Sequence, residues 1–231
     1  MTEPEFDQYA HDYASLLRDP IRDRFSRDSI FFYQRKWRLL KEFLNRAGFD
    51  AATSAWLDIG CGAGQLLQLG QAAFREVSGC DPSAGMLHAG CSGIPVECQP
   101  DPLVLPYAAA RFDLVTAVCV YHHVSDADRP ALTAEAFRVL SPGGIFAIME
   151  HNPFNPVTRL IVSRTPVDAN AHLLPARTAR KIVTATGFRV LETVYFLYFP
   201  ERLYDRLAAA ESLLSTIPAG GQYAIFATKP Q

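Results

Sequence analysis

A chain of 231 residues with 49% apolar side chains is long enough to bury the core of one α/β domain. Its 22 basic and 24 acidic side chains give a net charge of −2, and no Lys/Arg run indicates a nucleic-acid track or a membrane-surface patch. The five cysteines include no C-x-x-C pair, the N-terminus is polar and no apolar run approaches ~18 residues, so we expect a cytoplasmic chain without a metal site or a membrane span.

The first two thirds of the chain alternate helical and strand-like patterns. Residues 5–18 have helical spacing, Pro20 interrupts it, and a second helix is predicted over 28–46. Strands are then predicted at 54–59, 76–81, 95–98, 112–119 and 144–150. Helices are predicted between them at 64–74, 83–90 and 127–140, and the SPGG sequence at 141–144 predicts a turn.

The last third of the chain has a different sequence pattern. Residues 151–176 contain four prolines and little periodicity, which predicts a structured loop. A helix at 177–186, a strand at 188–199, a helix at 201–215 and a strand at 221–228 are predicted after it. We therefore expect an α/β fold: a three-layer, doubly wound, mostly parallel seven-stranded sheet in a single domain over 1–231. Its parts are a helical N-terminal segment (1–46), a core (54–150), and a loop with C-terminal strands (151–231).

A glycine-rich loop follows the first predicted strand. Residues 56–64 read Trp-Leu-Asp-Ile-Gly-Cys-Gly-Ala-Gly, with Asp58 two places before Gly60 and further glycines at Gly62 and Gly64. Three glycines let the backbone turn sharply and approach a ligand at the start of a helix. A dinucleotide fingerprint would need its third glycine at position 65, where Gln65 stands, so a nicotinamide oxidoreductase is disfavoured.

Four further landmarks follow this loop in order. An acid ends the second strand in Asp81-x-Ser83-x-x-Met86, and DPLVLP at 101–106 follows the third. FDLVTAVCVYHHV at 112–124 covers the fourth strand, and RVLSPGGIFAIME at 138–150 leads through the fifth. Together with the glycine loop, this series resembles the class I S-adenosylmethionine (SAM) dependent methyltransferases over about residues 54–150.

The resemblance implies that SAM binds across the carboxyl ends of the strands. Asp58 would meet the cationic end of SAM, and Asp81 would accept hydrogen bonds from the ribose hydroxyls. The loop positions implied beside SAM are Gly60, Cys61, Gly62, Gly64, Pro82, Val118 and Cys119.

The adenine side of the implied site is less regular. Met86 would pack on the adenine face, with a core contact as the alternative. Asp101 would accept from the adenine amino group, with a simple turn role as the alternative. Pro102 departs from the family pattern because proline has no N–H to offer the adenine ring.

His122 and His151 are the candidate catalytic residues on the acceptor side. Both stand at predicted strand ends, beside His123 and Glu150. A neutral imidazole at His122 could take a proton near neutral pH, and bracing of the loop backbone is the alternative for each histidine.

The N-terminal sequence FDQYAHDYASLL resembles the mobile lid of small-molecule methyltransferases. Tyr9 and Tyr13 would then close over SAM, with ordinary helix packing as the alternative. We expect a SAM-dependent enzyme that methylates a small molecule, on oxygen first and on carbon or nitrogen next. The alternative is a catalytically silent SAM-fold subunit that binds a partner. The oligomeric state stays open.

Overall fold

Seven strands form one sheet in this computed structural model, which describes residues 5–91 and 93–231, except for the side chain of residue 5. Residues 1–4 of the expected lid lie outside the described part. In chain order the strands are β1 (Ala55–Ile59), β2 (Glu76–Asp81), β3 (Val96–Cys98), β4 (Phe112–Val118), β5 (Leu140–His151), β6 (Arg189–Phe196) and β7 (Gln222–Thr228).

The strand order is β3-β2-β1-β4-β5-β7-β6. The first five strands pair in parallel, and β7 lies antiparallel between β5 and β6. This confirms the predicted mostly parallel, seven-stranded α/β sheet.

Nine α-helices occur in the described residues. They are α1 (Tyr13–Leu16), α2 (Pro20–Phe25), α3 (Ser29–Arg46), α4 (Gln65–Gly70), α5 (Ala84–Gly90), α6 (Arg129–Val139), α7 (Pro156–Val162), α8 (Ala176–Ala185) and α9 (Glu201–Leu214). Short 3₁₀ turns lie at Glu5–Tyr9, Ala51–Thr53, Gln71–Ala73, Tyr121–His123 and Pro166–Asp168. No helix of the described chain is both long and apolar enough to cross a bilayer.

Apolar packing covers both faces of the sheet. Every residue of β1 and β7 is buried, as expected for central strands with helices on both sides. Successive residues point to opposite faces: Leu57 joins the core under α6 and α8, and Trp56 joins the core under α3 and α4. On the second face, the rings of Phe43 and Phe226 stack with centroids 3.9 Å apart.

Three predicted elements were wrong in detail. The helix expected over 5–18 is divided into the 3₁₀ turn Glu5–Tyr9 and α1, and Pro20 begins α2 instead of only ending a helix. Proline suits the first helical position because its missing N–H would have no partner there, and Asp19 caps the helix by accepting from two backbone N–H groups. The segment 151–176 contains α7 besides loop, and 141–144 belongs to β5.

Candidate active site

The glycine loop after β1 adopts a conformation that only glycine tolerates well. Gly60, Gly62 and Gly64 have φ angles of +64°, +53° and +72°, all in the left-handed region. A Cβ on Gly60 would come 2.6 Å from Cγ2 of Val120, because the loop packs against the second residue after the end of β4. The loop therefore presents bare backbone at the carboxyl end of the sheet.

Asp81 ties this loop to the end of β2. Its Oδ2 accepts from the N–H of Gly62 and its Oδ1 from the N–H of Ser83, both at 2.8 Å. Burial raises the pKa of the Asp81 carboxyl, and the two N–H groups oppose that effect. The carboxylate keeps further lone pairs for a ligand.

Asp58 and Lys36 are both buried, and their side chains carry opposite charges when ionised. Asp58 lies on β1 and accepts from Oγ1 of Thr116 at 2.5 Å. Burial raises the pKa of Asp58 to about 7, although the hydroxyl of Thr116 and the ammonium of Lys36 both lower it. Lys36 is buried on α3 and donates from Nζ to Sγ of Cys119 at 3.3 Å.

Cys119 stands where β4 ends. It is half-buried, and its φ of +58° is unusual for a residue with a side chain. Burial by itself would raise the pKa of the Cys119 thiol, but Lys36 and His151 outweigh it and lower the pKa to about 7. The neighbouring Val118 is half-buried and packs against the core.

The residues predicted near adenine have different surroundings. Met86 is buried, and its Cε lies 3.4 Å from the position of a Cβ on Gly62. Pro82 follows Asp81 and is half-buried.

Asp101 and Pro102 are exposed. Asp101 accepts from the N–H of Leu103 at 2.9 Å, as in an Asx turn, and Pro102 offers its carbonyl to Nε2 of Gln99 at 2.8 Å. The adenine roles of Asp101 and Pro102 stay predictions. Cys61, within the glycine loop, has a buried thiol.

The first part of the lid (residues 5–17) bridges two loops at this edge of the sheet. Asp7 accepts from Oγ of Ser83 at 2.5 Å and from the N–H of Gly85 at 2.9 Å. At the other side, the ring of Phe6 meets His123 edge-on, with centroids 4.9 Å apart. Tyr9 packs against Phe6, while Tyr13 lines the cavity described next.

A cavity of about 280 Å³ lies where β4 and β5 end, with Cys119 and His151 in its wall, and no residue of the glycine loop lines it. Apolar and aromatic side chains from α1, α2, α3 and α7 form most of its wall. Its polar end is formed by Lys36, Cys119, His122, His123, His151 and Gln222. An apolar chamber with a few polar groups at one end is typical of a small-molecule site.

His122 is held tightly by Glu150. Its Nδ1 lies 2.6 Å from Oε2 of Glu150, whose Oε1 accepts from the N–H groups of Val120 and Tyr121 at 2.9 and 2.7 Å. Burial would lower the pKa of His122, but Glu150 and Asp168 raise it to about 10. In this state His122 is an imidazolium at neutral pH, in contrast to the neutral ring considered from the sequence.

His151 faces the same cavity from the end of β5. Its Nδ1 lies 3.3 Å from Nε2 of Gln222, and its ring centroid lies 5.0 Å from that of His122. Oε1 of Gln222 is buried and finds no hydrogen-bond partner among residues 5–91 and 93–231. This end of the cavity therefore has an acceptor oxygen ready for a ligand's donor.

Comparisons with known proteins point to one family. A family model described as a methyltransferase domain matches residues 57–148. A demethylmenaquinone methyltransferase from Thermobifida fusca (strain YX) is 31% identical over 176 residues, which cover 70% of this chain and 71% of the relative. The chain belongs to the class I SAM-dependent methyltransferases.

Two further similarities define the limits of this relationship. A ubiquinone biosynthesis O-methyltransferase from Methylobacterium sp. (strain 4-46) is 36% identical over 96 residues, and this methyltransferase spans only 38% of that relative's length. A crystal structure of a SAM-dependent methyltransferase, possibly a histamine N-methyltransferase, from Thermotoga maritima has a TM-score of 0.71 and 19% identity, and covers 97% of this chain and 98% of that one. The structural likeness shows a shared fold.

Three polar residues of the methyltransferase site had no role in the sequence prediction. Lys36 lies in register with the apolar positions Tyr33 and Leu40 of α3, which is a weak signal that it points inward. Asp168 ends the short turn Pro166–Asp168 in a segment without periodicity, and Gln222 begins a buried strand, so neither gave a signal. These residues reach the site through tertiary packing.

Proposed function

We propose that this methyltransferase transfers the methyl group of SAM to an oxygen atom of a small molecule bound in the 280 Å³ cavity. The observation that carries the proposal is that Lys36 and Cys119 connect the cavity to the glycine-loop side of the sheet. Both residues line the cavity, and both act electrostatically on the buried Asp58 of the glycine-loop side. A ligand on the glycine loop would therefore lie next to an acceptor in the cavity.

The residues present fit SAM. The three left-handed glycines leave a backbone cradle without side chains, and the amino-acid end of SAM carries one cation and one anion. Asp58 supplies a carboxyl for the ammonium group, and Lys36 supplies a buried ammonium for the carboxylate. Asp81 keeps acceptor capacity for the ribose hydroxyls.

The remaining predicted contacts belong to the same proposal. Cys61, Pro82, Val118 and Cys119 would border the cofactor, and Met86 and Asp101 would flank adenine.

Bound SAM supplies a methyl group that is already activated on a sulfonium centre. The chain orients the acceptor and excludes water: the cavity wall holds the apolar body of the acceptor, and Tyr13 closes the cavity from the lid. His151 takes the proton that an acceptor hydroxyl loses, while Gln222 Oε1 orients that hydroxyl before transfer. His122 is not the proton acceptor in this reaction and braces the polar end between Glu150 and Asp168.

Titration calorimetry with SAM, followed by incubation of a metabolite extract with isotope-labelled SAM, tests the proposal. We expect SAM to bind and a labelled methyl ether or ester to appear in the mass spectrum. Asp81→Ala should weaken SAM binding by about 1–3 kcal/mol, since it leaves buried donors unpaired. The exposed His88→Gln serves as the control and should bind SAM normally. Folded protein that binds no SAM would refute the proposal.

A further inference from the structure

Two imidazole nitrogens and one carboxylate oxygen converge at the polar end of the cavity. Nε2 of His122 and Nε2 of His123 each lie 3.5 Å from Oδ1 of Asp168. These three atoms all lie within 4.8 Å of one another, and all three residues line the cavity. The group therefore combines two nitrogen ligands, one oxygen ligand and free space on one side.

The two distances from Asp168 suit a shared cation better than direct ion pairing, and the two imidazole nitrogens lie within 4.8 Å of each other. A charge-assisted hydrogen bond between nitrogen and a carboxylate is about 2.7–2.9 Å long, and the two contacts of Asp168 are longer. Ligand atoms about 2.0–2.2 Å from one tetrahedral metal ion stand roughly 3.3–3.6 Å from each other. The two 3.5 Å separations fall within that range.

The ligand atoms are held in place from behind. The 2.6 Å contact between Nδ1 of His122 and Glu150 fixes the ring so that Nε2 faces Asp168. Metal-binding histidines almost always use their second ring nitrogen in this way, with a carboxylate as partner. Glu150 is itself fixed by the backbone N–H groups of Val120 and Tyr121, so the turn Tyr121–His123 is preorganised.

The charges at this end of the cavity also favour a cation. Glu150 contacts His122, and Asp168 contacts both His122 and His123, so two carboxyl groups belong to one cluster of imidazole rings. Tyr13 from the lid, Cys119 at the end of β4 and His151 from β5 line the same cavity. Two carboxylates among imidazoles leave a surplus of negative charge that a divalent ion would neutralise.

We propose that His122, His123 and Asp168 form a binding site for one divalent transition-metal ion of the Zn²⁺ type, which replaces the proton on Nε2 of His122 and also binds the acceptor oxygen. Imidazole and carboxylate ligands favour Zn²⁺, Fe²⁺ or Co²⁺ over Mg²⁺ and Ca²⁺. With three protein ligands, the coordination sphere stays open toward the cavity, as in catalytic metal sites. The role of the ion in methylation rests on the proposed function above.

The ion would act as a Lewis acid on the acceptor. An acceptor hydroxyl would bind the ion through its oxygen, its O–H bond would break, and the proton would pass to His151. The oxygen would keep that electron pair and use it to form the bond to the methyl group, while the methyl–sulfur bond of SAM breaks and its electron pair stays on the sulfur of the departing thioether. No oxidation or reduction takes place in this step.

Metal binding is measured without SAM or acceptor, on metal-free full-length protein titrated with Co²⁺, which gives visible absorption in a nitrogen–oxygen ligand set. We expect one equivalent of Co²⁺ to bind and Zn²⁺ to displace it. Asp168→Asn and His123→Gln should each weaken Co²⁺ binding at least about tenfold. The exposed His88→Gln and Asp205→Asn are matched controls and should leave binding unchanged.

Folded wild-type protein that binds no Co²⁺, or Asp168→Asn protein that binds it undiminished, would overturn the metal site. Calorimetry with SAM on metal-free protein separates the two proposals. SAM binding and methyl transfer without Co²⁺ binding would overturn the metal site alone. Co²⁺ binding by protein that does not bind SAM would overturn the proposed function and leave the metal site standing.

Discussion

Asp58 is a buried carboxyl group whose charge state should control SAM affinity. Burial raises its pKa to about 7, with Asp81 and Cys119 adding to the shift and Thr116 and Lys36 opposing it. The cationic end of SAM favours the carboxylate, so below this pKa the protein must release a proton to bind. SAM affinity should therefore rise with pH up to about 7, by as much as about tenfold per pH unit below it.

Calorimetry over one pH unit on either side of this pKa measures the effect. In Asp58→Asn protein the affinity should be lower, and its rise with pH should disappear. If the variant kept the same slope as the wild type, the proton would belong to another group.

Cys119 should be the most reactive cysteine of the protein. Because the pKa of Cys119 is about 7, roughly half of its thiol groups are ionised at neutral pH. The thiolate is the form that reacts as a nucleophile. Iodoacetamide at neutral pH should label Cys119 before the more exposed Cys98, as peptide mass spectrometry would show. Lys36→Met removes the stabilising ammonium and should slow labelling about tenfold or more, whereas the exposed Lys41→Met on the same helix should not. Equal rates in both variants would contradict the role of Lys36.

Some residue roles could be predicted from the sequence, whereas others depend on tertiary packing. Asp58 and Asp81 stand at fixed places beside the glycine loop, so local pattern was enough to select them. The charge of His122 was not predictable, because it depends on Glu150 at the end of the next strand and on Asp168 from a distant turn.

At the scale of elements, the first part of the lid is attached through Asp7. Its carboxylate receives the hydroxyl of Ser83 and the N–H of Gly85, and the pKa of Asp7 is lowered chiefly by the Ser83 bond. The contact is close because Gly85 has no side chain: a Cβ there would lie 2.9 Å from Cβ of Ala10. This attachment orders the segment that carries Tyr13 into the cavity.

Asp7→Ala should therefore release the lid. Amide hydrogen exchange over residues 5–17 should become about tenfold faster, because local opening costs less free energy. Asp12→Ala is the control, since the side chain of Asp12 makes no capping hydrogen bond within the described chain. Gly85→Leu should give the same acceleration by steric displacement. An unchanged exchange rate in both test variants would show that other contacts hold the lid.

The two helix starts that the sequence missed share one physical cause. Pro20 was predicted to interrupt a helix, and Pro156 is one of the four prolines from which a loop was predicted over 151–176. Each stands instead at the first position of a helix, after Asp19 or Asn155 as the cap. The alternating strands and helices of 54–140 were predicted well, because buried parallel strands give continuous apolar runs. Proline is ambiguous locally: whether it ends one helix or begins another depends on the capping geometry.

At the scale of the whole molecule, α3 packs against strands from both the N-terminal and the C-terminal half of the chain. Trp37 on this helix stacks on Trp56 of β1, and Phe43 stacks on Phe226 of β7. The same helix carries Lys36 into the site. Because α3 packs on both β1 and β7, the contacts that stabilise the fold also hold the buried ammonium group of Lys36 in position.

The buried ion pair between Arg35 on α3 and Glu211 on α9 should be a main stabilising contact of this kind. Glu211 also accepts from the N–H of Tyr198, and the Arg35 guanidinium lies 3.5 Å above the ring of Tyr204. Glu211→Ala should lower the free energy of unfolding by about 3–5 kcal/mol, because it leaves a buried cation unpaired. Urea denaturation measures this loss.

The exposed pair Arg38–Glu42 on the same helix is the matched control, and Glu42→Ala should cost under about 1 kcal/mol. The double variant Arg35→Met/Glu211→Leu should recover most of the lost stability, because two apolar side chains replace both charges and no buried ion is left unpaired. If Glu211→Ala and Glu42→Ala cost the same, the buried pair would not be what fastens α3 to the C-terminal half, and the stacked aromatic rings of α3 would have to account for that attachment.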